Sequence, residues 1–167
     1  MWLLNCSKLQ ELEPRDRETE QLPDQEIWNG VIEISRQGLT QSIVRAGHIE
    51  SYEKKKITLL DQGVTIDFFD KKGQHTSKLT AKRVRIEEKT DLFKAQDSVV
   101  VVSDSGAVLQ TERLYWDRKR QRIHSDTLVF ITTEFDSLRG YDFESNEDLT
   151  SWQLKRPTGQ TLRQRQK

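Results

Sequence analysis

The sequence predicts an all-β protein in which two antiparallel sheets, built from repeated pairs of strands, face each other. Apolar and polar residues alternate at a period of two, as in strands with one buried face. The pattern recurs with a period of roughly 30 to 35 residues, which indicates a repeat architecture. Hydrophobic residues make up 34% and charged residues 32% of the chain, a balance typical of a thin or elongated fold.

Each copy of the repeat contains two strand segments and a turn. Valine, isoleucine, threonine and phenylalanine, which favour strands, dominate the segments. We expect glycine to adopt a positive φ in turns at Gly73, Gly106 and Gly140. The copies cover residues 44–49 with 60–68, 79–86 with 92–101, 109–117 with 123–131 and, in part, 140–149. We therefore expect about ten strands and no substantial helix.

One face of each strand is predicted to point between the two sheets. Two interpretations remain open, since this face forms either a closed core or a groove for the apolar chains of a ligand. The low apolar fraction favours the groove, and small inward residues such as Ala81, Ala95 and Thr111 would leave space in it. The predicted inward residues are Val64, Ile66, Phe68, Leu79, Ala81, Phe93, Val99, Val101, Leu109, Leu114, Val129 and Ile131.

An open stack of strands leaves an unpaired edge at each end, where another protein can add a strand. We expect the first edge at residues 31–35 and the last at residues 150–155. In the last segment Trp152 and Leu154 share one face. They either extend the apolar face toward a partner, or Trp152 plugs the end of the sandwich. The predicted edge residues are Val31, Ile32, Ile34, Trp152 and Leu154.

We predict one β domain at residues 27–157, flanked by two segments with few apolar residues. Residues 1–26 are predicted to be an anchor and flexible lead-in, because acidic residues outnumber basic ones from position 7 and two prolines interrupt the segment. Residues 158–167 are predicted to be a disordered tail in which every charged residue is basic.

The apolar residues Trp2, Leu3 and Leu4 precede Cys6, the only cysteine. A bacterial lipoprotein signal ends in this way, at a cysteine that receives lipid, although Asn5 stands where a small residue is usual. Either Cys6 is a lipid anchor and the true start lies upstream, or it is an unmodified thiol on a disordered arm. With one cysteine no intrachain disulfide can form. No run of about 18 apolar residues is present to span a membrane.

The residue types that carry catalysis do not combine into a site. His124 and Ser125 are neighbours on a predicted strand, so their side chains point to opposite faces, which argues against a triad with Asp126. The other histidines, His48 and His75, are far apart and show no metal-ligand spacing. No phosphate-binding loop or dinucleotide fingerprint occurs. We therefore expect no enzymatic activity, no cofactor and no metal site.

Charge argues against nucleic acid as a ligand, because basic and acidic residues are balanced at 27 each. Tyr115 and Trp116 precede a basic stretch at residues 118–122, a mixture that can stack bases and contact phosphates. A cluster of lysines at 54–56 occupies a similar connection in the preceding copy. This recurrence favours solvated turns, and contact with the phosphates of a lipid head group is a weaker alternative.

Taken in order, several segments resemble the LptC family of lipopolysaccharide export. They are residues 22–25 (LPDQ), 79–81 (LTA), 99–101 (VVV), 106–117 (GAVLQTERLYWD), 123–126 (IHSD) and 140–144 (GYDFE). The resemblance covers the chain from about Pro23 to Gly159. It departs from many members in lacking an N-terminal transmembrane helix, whose anchoring role Cys6 could take.

The resemblance implies a twisted, open β-jellyroll with a hydrophobic groove for the acyl chains of lipopolysaccharide. It implies a periplasmic protein that is tethered to the inner membrane through its N-terminus, with Cys6 as a candidate lipoprotein anchor. Such a protein accepts lipopolysaccharide from an inner-membrane ABC transporter and passes it to an LptA-like carrier by edge-to-edge strand addition. The alternative is a non-catalytic structural adaptor with a closed core, whose sheet edges dock envelope proteins.

Overall fold

The computed structural model describes residues 22–161, which form eleven β-strands and no helix. The predicted all-β fold is confirmed, with one strand more than the sequence indicated. This part of the chain accordingly has no helix that could cross a membrane. The strands are Gln25–Arg36 (β1), Leu39–Tyr52 (β2), Ile57–Phe69 (β3), His75–Ala81 (β4), Arg83–Glu87 (β5), Leu92–Ser103 (β6), Val108–Asp117 (β7), Arg122–Ser125 (β8), Val129–Thr132 (β9), Asp136–Asn146 (β10) and Trp152–Thr161 (β11).

The strands form one antiparallel sheet in which strands that follow each other along the chain are hydrogen-bonded neighbours. The exceptions are β4 and β5, which do not pair with each other, and likewise β8 and β9. β3 pairs with β5 through residues 57–60 and with β4 through residues 64–69. β7 pairs in the same way first with β9 and then with β8. Each long strand therefore contributes to two parts of the sheet, which we call layer I (containing β4 and β9) and layer II (containing β5 and β8).

A line of backbone irregularities separates the two layers. The bend in β3 falls at Gln62 and Gly63, and the bend in β6 at Asp97 and Ser98, all four with positive φ. The chain leaves β4 and enters β5 across Lys82. Extra residues of this kind bend a strand and increase its twist. The sheet thus folds back on itself along this line, and its two layers face each other.

A ring contact shows that the layers face each other across the interior. Phe68 in layer I meets Trp116 in layer II edge to face, with ring centroids 4.8 Å apart. Their strands, β3 and β7, are not neighbours in the sheet. The buried apolar residues of both layers form one continuous cluster. The two facing sheets predicted from the sequence are therefore two layers of a single sheet, an arrangement consistent with a β-jellyroll.

The glycine predictions are confirmed at two positions and wrong at the third. Gly73 and Gly106 lie in turns with φ of 78° and 89°. Gly140 instead lies inside β10 without a positive φ. Its small size matters because β11 approaches closely: a Cβ there would lie 2.7 Å from the carbonyl oxygen of Lys155 and 2.8 Å from Leu154 Cγ.

Both edge strands are longer than the sequence indicated. β1 begins at Gln25, ahead of the expected start at residue 31. β11 continues to Thr161 and pairs with residues 136–139 of β10, so residues 158–161 of the expected tail lie in a strand. Because these residues are polar or glycine, they show no alternation of apolar and polar side chains from which a strand could have been predicted. Residues 1–21 and 162–167, including the candidate anchor Cys6, lie outside the described residues.

Candidate functional site

The twelve inward residues predicted from the sequence all line the interior between the two layers. Each is at most 7% exposed. Their assignment as lipid contacts remains a prediction. Layer II supplies Phe93 and Leu114, and layer I supplies Val64, Ile66, Phe68, Leu79, Ala81, Val99, Val101, Leu109, Val129 and Ile131.

The interior is packed closely. The small residues expected to leave space, Ala81, Ala95 and Thr111, are 7%, 3% and 7% exposed, so other side chains fill the volume around them. Protein interiors packed in this way hold few voids larger than a water molecule. An acyl chain can therefore reach these residues only when side chains or the layers themselves move apart.

Hydroxyl groups tie the two layers together at the bend. The Thr111 hydroxyl lies 2.8 Å from the Thr127 hydroxyl and 3.2 Å from the Ser125 hydroxyl, and it donates to the Leu128 carbonyl at 2.9 Å. Buried hydroxyls are tolerated when they are hydrogen-bonded in this way. Ser125 is buried and His124 exposed, so the two side chains point to opposite faces as expected. This side of the interior is held closed by structural contacts.

Aromatic rings occupy the opposite side of the interior. Trp116 packs against Phe68 and also against Phe93, whose ring centroid is 4.5 Å away. The indole N–H of Trp116 donates a hydrogen bond to the Glu147 carboxylate. Burial raises the pKa of Glu147, and the hydrogen bond from Trp116 opposes that shift only in part. A titratable group thus lies beside the apolar interior.

Turns of both layers surround the open side of the fold, which we call the mouth. They are residues 70–74 and 104–106 of layer I and residues 118–121 and 147–151 of layer II. A cleft of about 740 Å³ lies between the β1–β2 turn at residues 36–41 and the turns around residues 69–71, 120–122 and 146–148. None of the twelve inward residues lines it. Its charged lining residues are Arg36, Asp70, Lys71, Arg120, Arg122, Glu147 and Asp148.

The predicted edge residues lie on the first and last strands of the sheet. On β1, Val31 is exposed, Ile32 is half-buried and Ile34 is buried. On β11, Trp152 and Leu154 are half-buried and pack against the core. β1 and β11 each have one neighbour in the sheet, so their outer backbone groups are free to pair with another strand.

Comparison with protein families decides the assignment. The model of a family described as lipopolysaccharide-assembly, LptC-related, matches residues 2–159. The chain belongs to the LptC family. The resemblance found in the sequence is thereby confirmed, and the LptC-family assignment places the chain in lipopolysaccharide transport. No curated protein matches the chain.

A charged cluster joins the first three strands of this LptC-family protein. His48 Nε2 lies 2.8 Å from Glu26 Oε1 on β1, and His48 Nδ1 lies 3.1 Å from Asp61 Oδ1 on β3. The Trp28 ring stacks on the imidazole at 4.3 Å. The hydrogen bond to Glu26 raises the pKa of His48, burial opposes this, and Asp61 raises it further. This cluster could not be predicted from the sequence, because the sequence does not reveal the register of the strands.

The same histidine belongs to a group of possible metal ligands. Glu26, His48 and Glu50 place ligand atoms within 4.8 Å of one another, the only such group within residues 22–161. Asp61 at the other ring nitrogen of His48 is the kind of partner that orients a metal-binding histidine. The contacts present are hydrogen bonds and ion pairs, which account for the arrangement by themselves.

Proposed function

We propose that this LptC-family chain is a periplasmic relay for lipopolysaccharide. It accepts the lipid from an inner-membrane ABC transporter and passes it to an LptA-like carrier on the way to the outer membrane. The observation that supports this most directly is the continuous apolar interior, which both layers build and which runs from one strand edge to the other. The N-terminus, with Cys6 as a candidate lipid anchor, tethers the protein to the inner membrane.

Burial of acyl chains drives binding in this proposal. Each buried methylene contributes about 0.8 kcal/mol, so even part of one chain offsets a substantial cost of opening the interior. No covalent bond is made or broken. The transporter therefore supplies the energy for movement, and the protein contributes a reversible apolar site.

Partners dock by strand addition at the two free edges. We assign the transporter to the β1 edge, which carries Val31, Ile32 and Ile34, and the downstream carrier to the β11 edge. Main-chain hydrogen bonds supply affinity in such contacts, and side chains on alternate positions supply specificity. On β11 these side chains are Trp152 and Leu154, which already contact the core and would extend its apolar face into the partner.

A non-catalytic structural adaptor is the second candidate. The close packing of the interior favours it, since residues such as Leu109, Val129 and Ile131 are fully buried. In this case the sheet edges dock envelope proteins, and the interior serves only to stabilise the fold.

Photocrosslinking separates the two candidates. A photoreactive phenylalanine analogue at Phe68, which points inward at 1% exposure, is compared with the same analogue at Phe130, which is 46% exposed on β9. The relay predicts crosslinks to lipopolysaccharide from position 68 and none from position 130. The relay fails if neither position crosslinks to lipopolysaccharide while the protein still binds its partners, which is the result the adaptor predicts.

A further inference from the structure

The turn between β10 and β11 crosses the mouth from one layer to the other. Its backbone carbonyls at Glu147 and Asp148 accept hydrogen bonds from the hydroxyls of Ser77 at 2.7 Å and Ser103 at 2.6 Å. Both serines lie on layer I, on β4 and β6, whereas the turn begins and ends in layer II. We call residues 147–150 the strap.

The strap also inserts a side chain into the core. Leu149 is 2% exposed and belongs to the apolar cluster of the interior. Its φ of 59° lies in the left-handed region, which is unfavourable for a leucine. Such a conformation persists only where surrounding contacts hold it. The contacts that tie it to the rest of the fold are the buried leucine side chain, the two serine hydroxyls and the bond between Trp116 and Glu147. Within the turn, the Leu149 amide also donates to the Asn146 carbonyl at 3.3 Å.

The other turns of layer II show a different pattern of backbone bonds. The amide of Glu88 donates to the carbonyl of Lys56 at 3.0 Å, and the amide of Arg118 donates to the carbonyl of Asp91 at 3.2 Å. These bonds join neighbouring turns within the same layer. The strap carbonyls instead bond to layer I, so the strap is placed to hold the two layers together.

We propose that the strap is a releasable closure of the mouth and that a lipid chain enters the interior only after the strap has left. This proposal rests on the proposed function in one respect, that the chain belongs to lipopolysaccharide. The described ties of the strap are hydrogen bonds and one apolar side chain, all of which can break and reform. The strap connects β10 to β11, the strand to which we assign the downstream carrier, so the closure lies beside that docking edge.

A disulfide across the mouth tests the proposal. Ser103→Cys and Asp148→Cys are combined with Cys6→Ser, which removes the only native thiol. The Ser103 hydroxyl already contacts the backbone at Asp148, so the two positions are close enough for a disulfide to be attempted. We measure uptake of purified lipopolysaccharide and of the amphiphilic dye anilinonaphthalene sulfonate, each with the protein oxidised and reduced. We expect loss of uptake of both on oxidation and recovery on reduction.

A second disulfide provides the matched control. Ser51→Cys and Thr58→Cys, again with Cys6→Ser, join directly paired positions of β2 and β3 within layer II. This bond does not cross the mouth, so oxidation leaves uptake unchanged. Leu149→Gly works in the opposite direction, because it removes the side chain that anchors the strap in the core, while glycine still accommodates the φ of 59°. We expect it to take up the dye faster than the native protein.

The outcomes separate the strap from the proposed function. Equal uptake of lipopolysaccharide by the oxidised and reduced protein overturns the strap and leaves the relay standing. If no form binds lipopolysaccharide but oxidation blocks the dye and Leu149→Gly admits it faster, the relay fails and the strap stands. If no form binds lipopolysaccharide and neither change alters uptake of the dye, both fail. A cysteine pair that does not oxidise, as judged by mass spectrometry, leaves Leu149→Gly to decide in the same way.

Discussion

The indole N–H of Trp116 donates a hydrogen bond to the carboxylate of Glu147, 31 residues further along the chain. Trp116 lies in the aromatic cluster of the interior, and Glu147 is the first residue of the strap. Burial raises the pKa of Glu147, since the ionised carboxylate loses hydration that one hydrogen bond does not replace. The folded protein therefore holds this carboxylate at a cost in stability at neutral pH.

Glu147→Gln is expected to stabilise the protein at pH 7. The pKa of Glu147 is higher in the folded than in the unfolded state, so ionisation at neutral pH favours unfolding. The loss of stability due to the ionised Glu147 is absent below the pKa of about 4.3 that a glutamate has in the unfolded state. It is complete once the pH has risen through the pKa of Glu147 in the folded state. Glutamine keeps an oxygen to accept the Trp116 hydrogen bond. The measurement is the urea midpoint at pH 7 and at pH 4, with a gain at pH 7 that shrinks at pH 4.

The control for this substitution is Glu88→Gln, which removes the same charge from an exposed turn of layer II. Surface substitutions of this kind usually change stability by less than about 0.5 kcal/mol. A destabilised Glu147→Gln variant at pH 7 would mean that the ionised carboxylate stabilises the strap.

The His48 cluster should make the β1 edge less stable as the pH rises. An acid with a lowered pKa would act in the opposite direction, because its contribution is lost as the pH falls. The pKa of His48 is raised, so its contribution is complete below the unfolded value of about 6.5 and is lost as the pH rises through the folded pKa. A neutral imidazole has one N–H and cannot donate to both Glu26 and Asp61. Urea midpoints between pH 6 and pH 8.5 should fall, and His48→Gln should flatten that fall.

Two carboxylates on β1 provide the controls for this pH dependence. Glu26→Gln removes the partner of His48 Nε2 and should flatten the fall as well. Glu33→Gln makes the same change on the same strand, where Glu33 accepts hydrogen bonds from Ser35 and Thr40, and should leave it unchanged. The cluster is not responsible if His48→Gln and the native protein respond to pH alike.

Gly140→Ala is expected to loosen the pairing of β10 with β11. The added methyl group would lie 2.7 Å from the carbonyl oxygen of Lys155 and 2.8 Å from Leu154 Cγ, so backbone must shift as well as side chain. Overpacking of this kind typically costs about 1–3 kcal/mol. Urea unfolding measures the loss, and hydrogen exchange of β11 amides locates it.

A double variant tests that explanation. Leu154→Ala removes one of the two close contacts at Gly140 and leaves the carbonyl oxygen of Lys155 in place. In the Leu154→Ala background, Gly140→Ala should therefore cost less than it does alone, since substitutions at contacting residues are not additive. Simple additivity of the two changes would place the effect of Gly140→Ala elsewhere.

The interior could be predicted from the sequence because strands reveal their buried face through alternation. Phe93, Val99 and Val101 fall on one side of a period-two pattern, and all three are buried. Alternation of the buried residues continues across the bend in β6, where Asp97 and Ser98 take positive φ and together lie opposite the single residue Glu112 of β7. The β-jellyroll was predicted from the family resemblance, because the period of the repeat does not by itself distinguish a jellyroll from other stacked sheets.

Contacts between distant segments could not be predicted in this way. His48 meets Glu26 and Asp61 only because of the register of three strands, and a shift of one residue would separate them. In the sequence, Leu149 is an isolated apolar residue among polar ones, and only the folded structure shows that it enters the core. Gly140 looks like a turn glycine, whereas its role depends on how closely β11 approaches.

The docking edge at β11 is the last prediction, and truncation tests it. Removing residues 158–167 takes away the part of β11 that pairs with residues 136–139. Trp152 and Leu154 remain and keep their contacts with the core. We expect the shortened protein to retain its circular dichroism spectrum and to bind the downstream carrier more weakly in a pull-down, because the edge loses four residues of backbone while Trp152 and Leu154 remain.

Removal of residues 162–167 alone is the matched control for this truncation. It deletes three basic residues that lie beyond the end of β11 and leaves the strand intact, so binding to the carrier should persist. If this shorter deletion abolishes binding, the basic tail is the docking element and the strand edge is not. If both shortened proteins bind as tightly as the full chain, the carrier uses either only the layer II half of β11 around Gln153 or the β1 edge. Val31→Pro on the β1 edge then distinguishes these two sites, because proline cannot contribute a strand N–H to a partner.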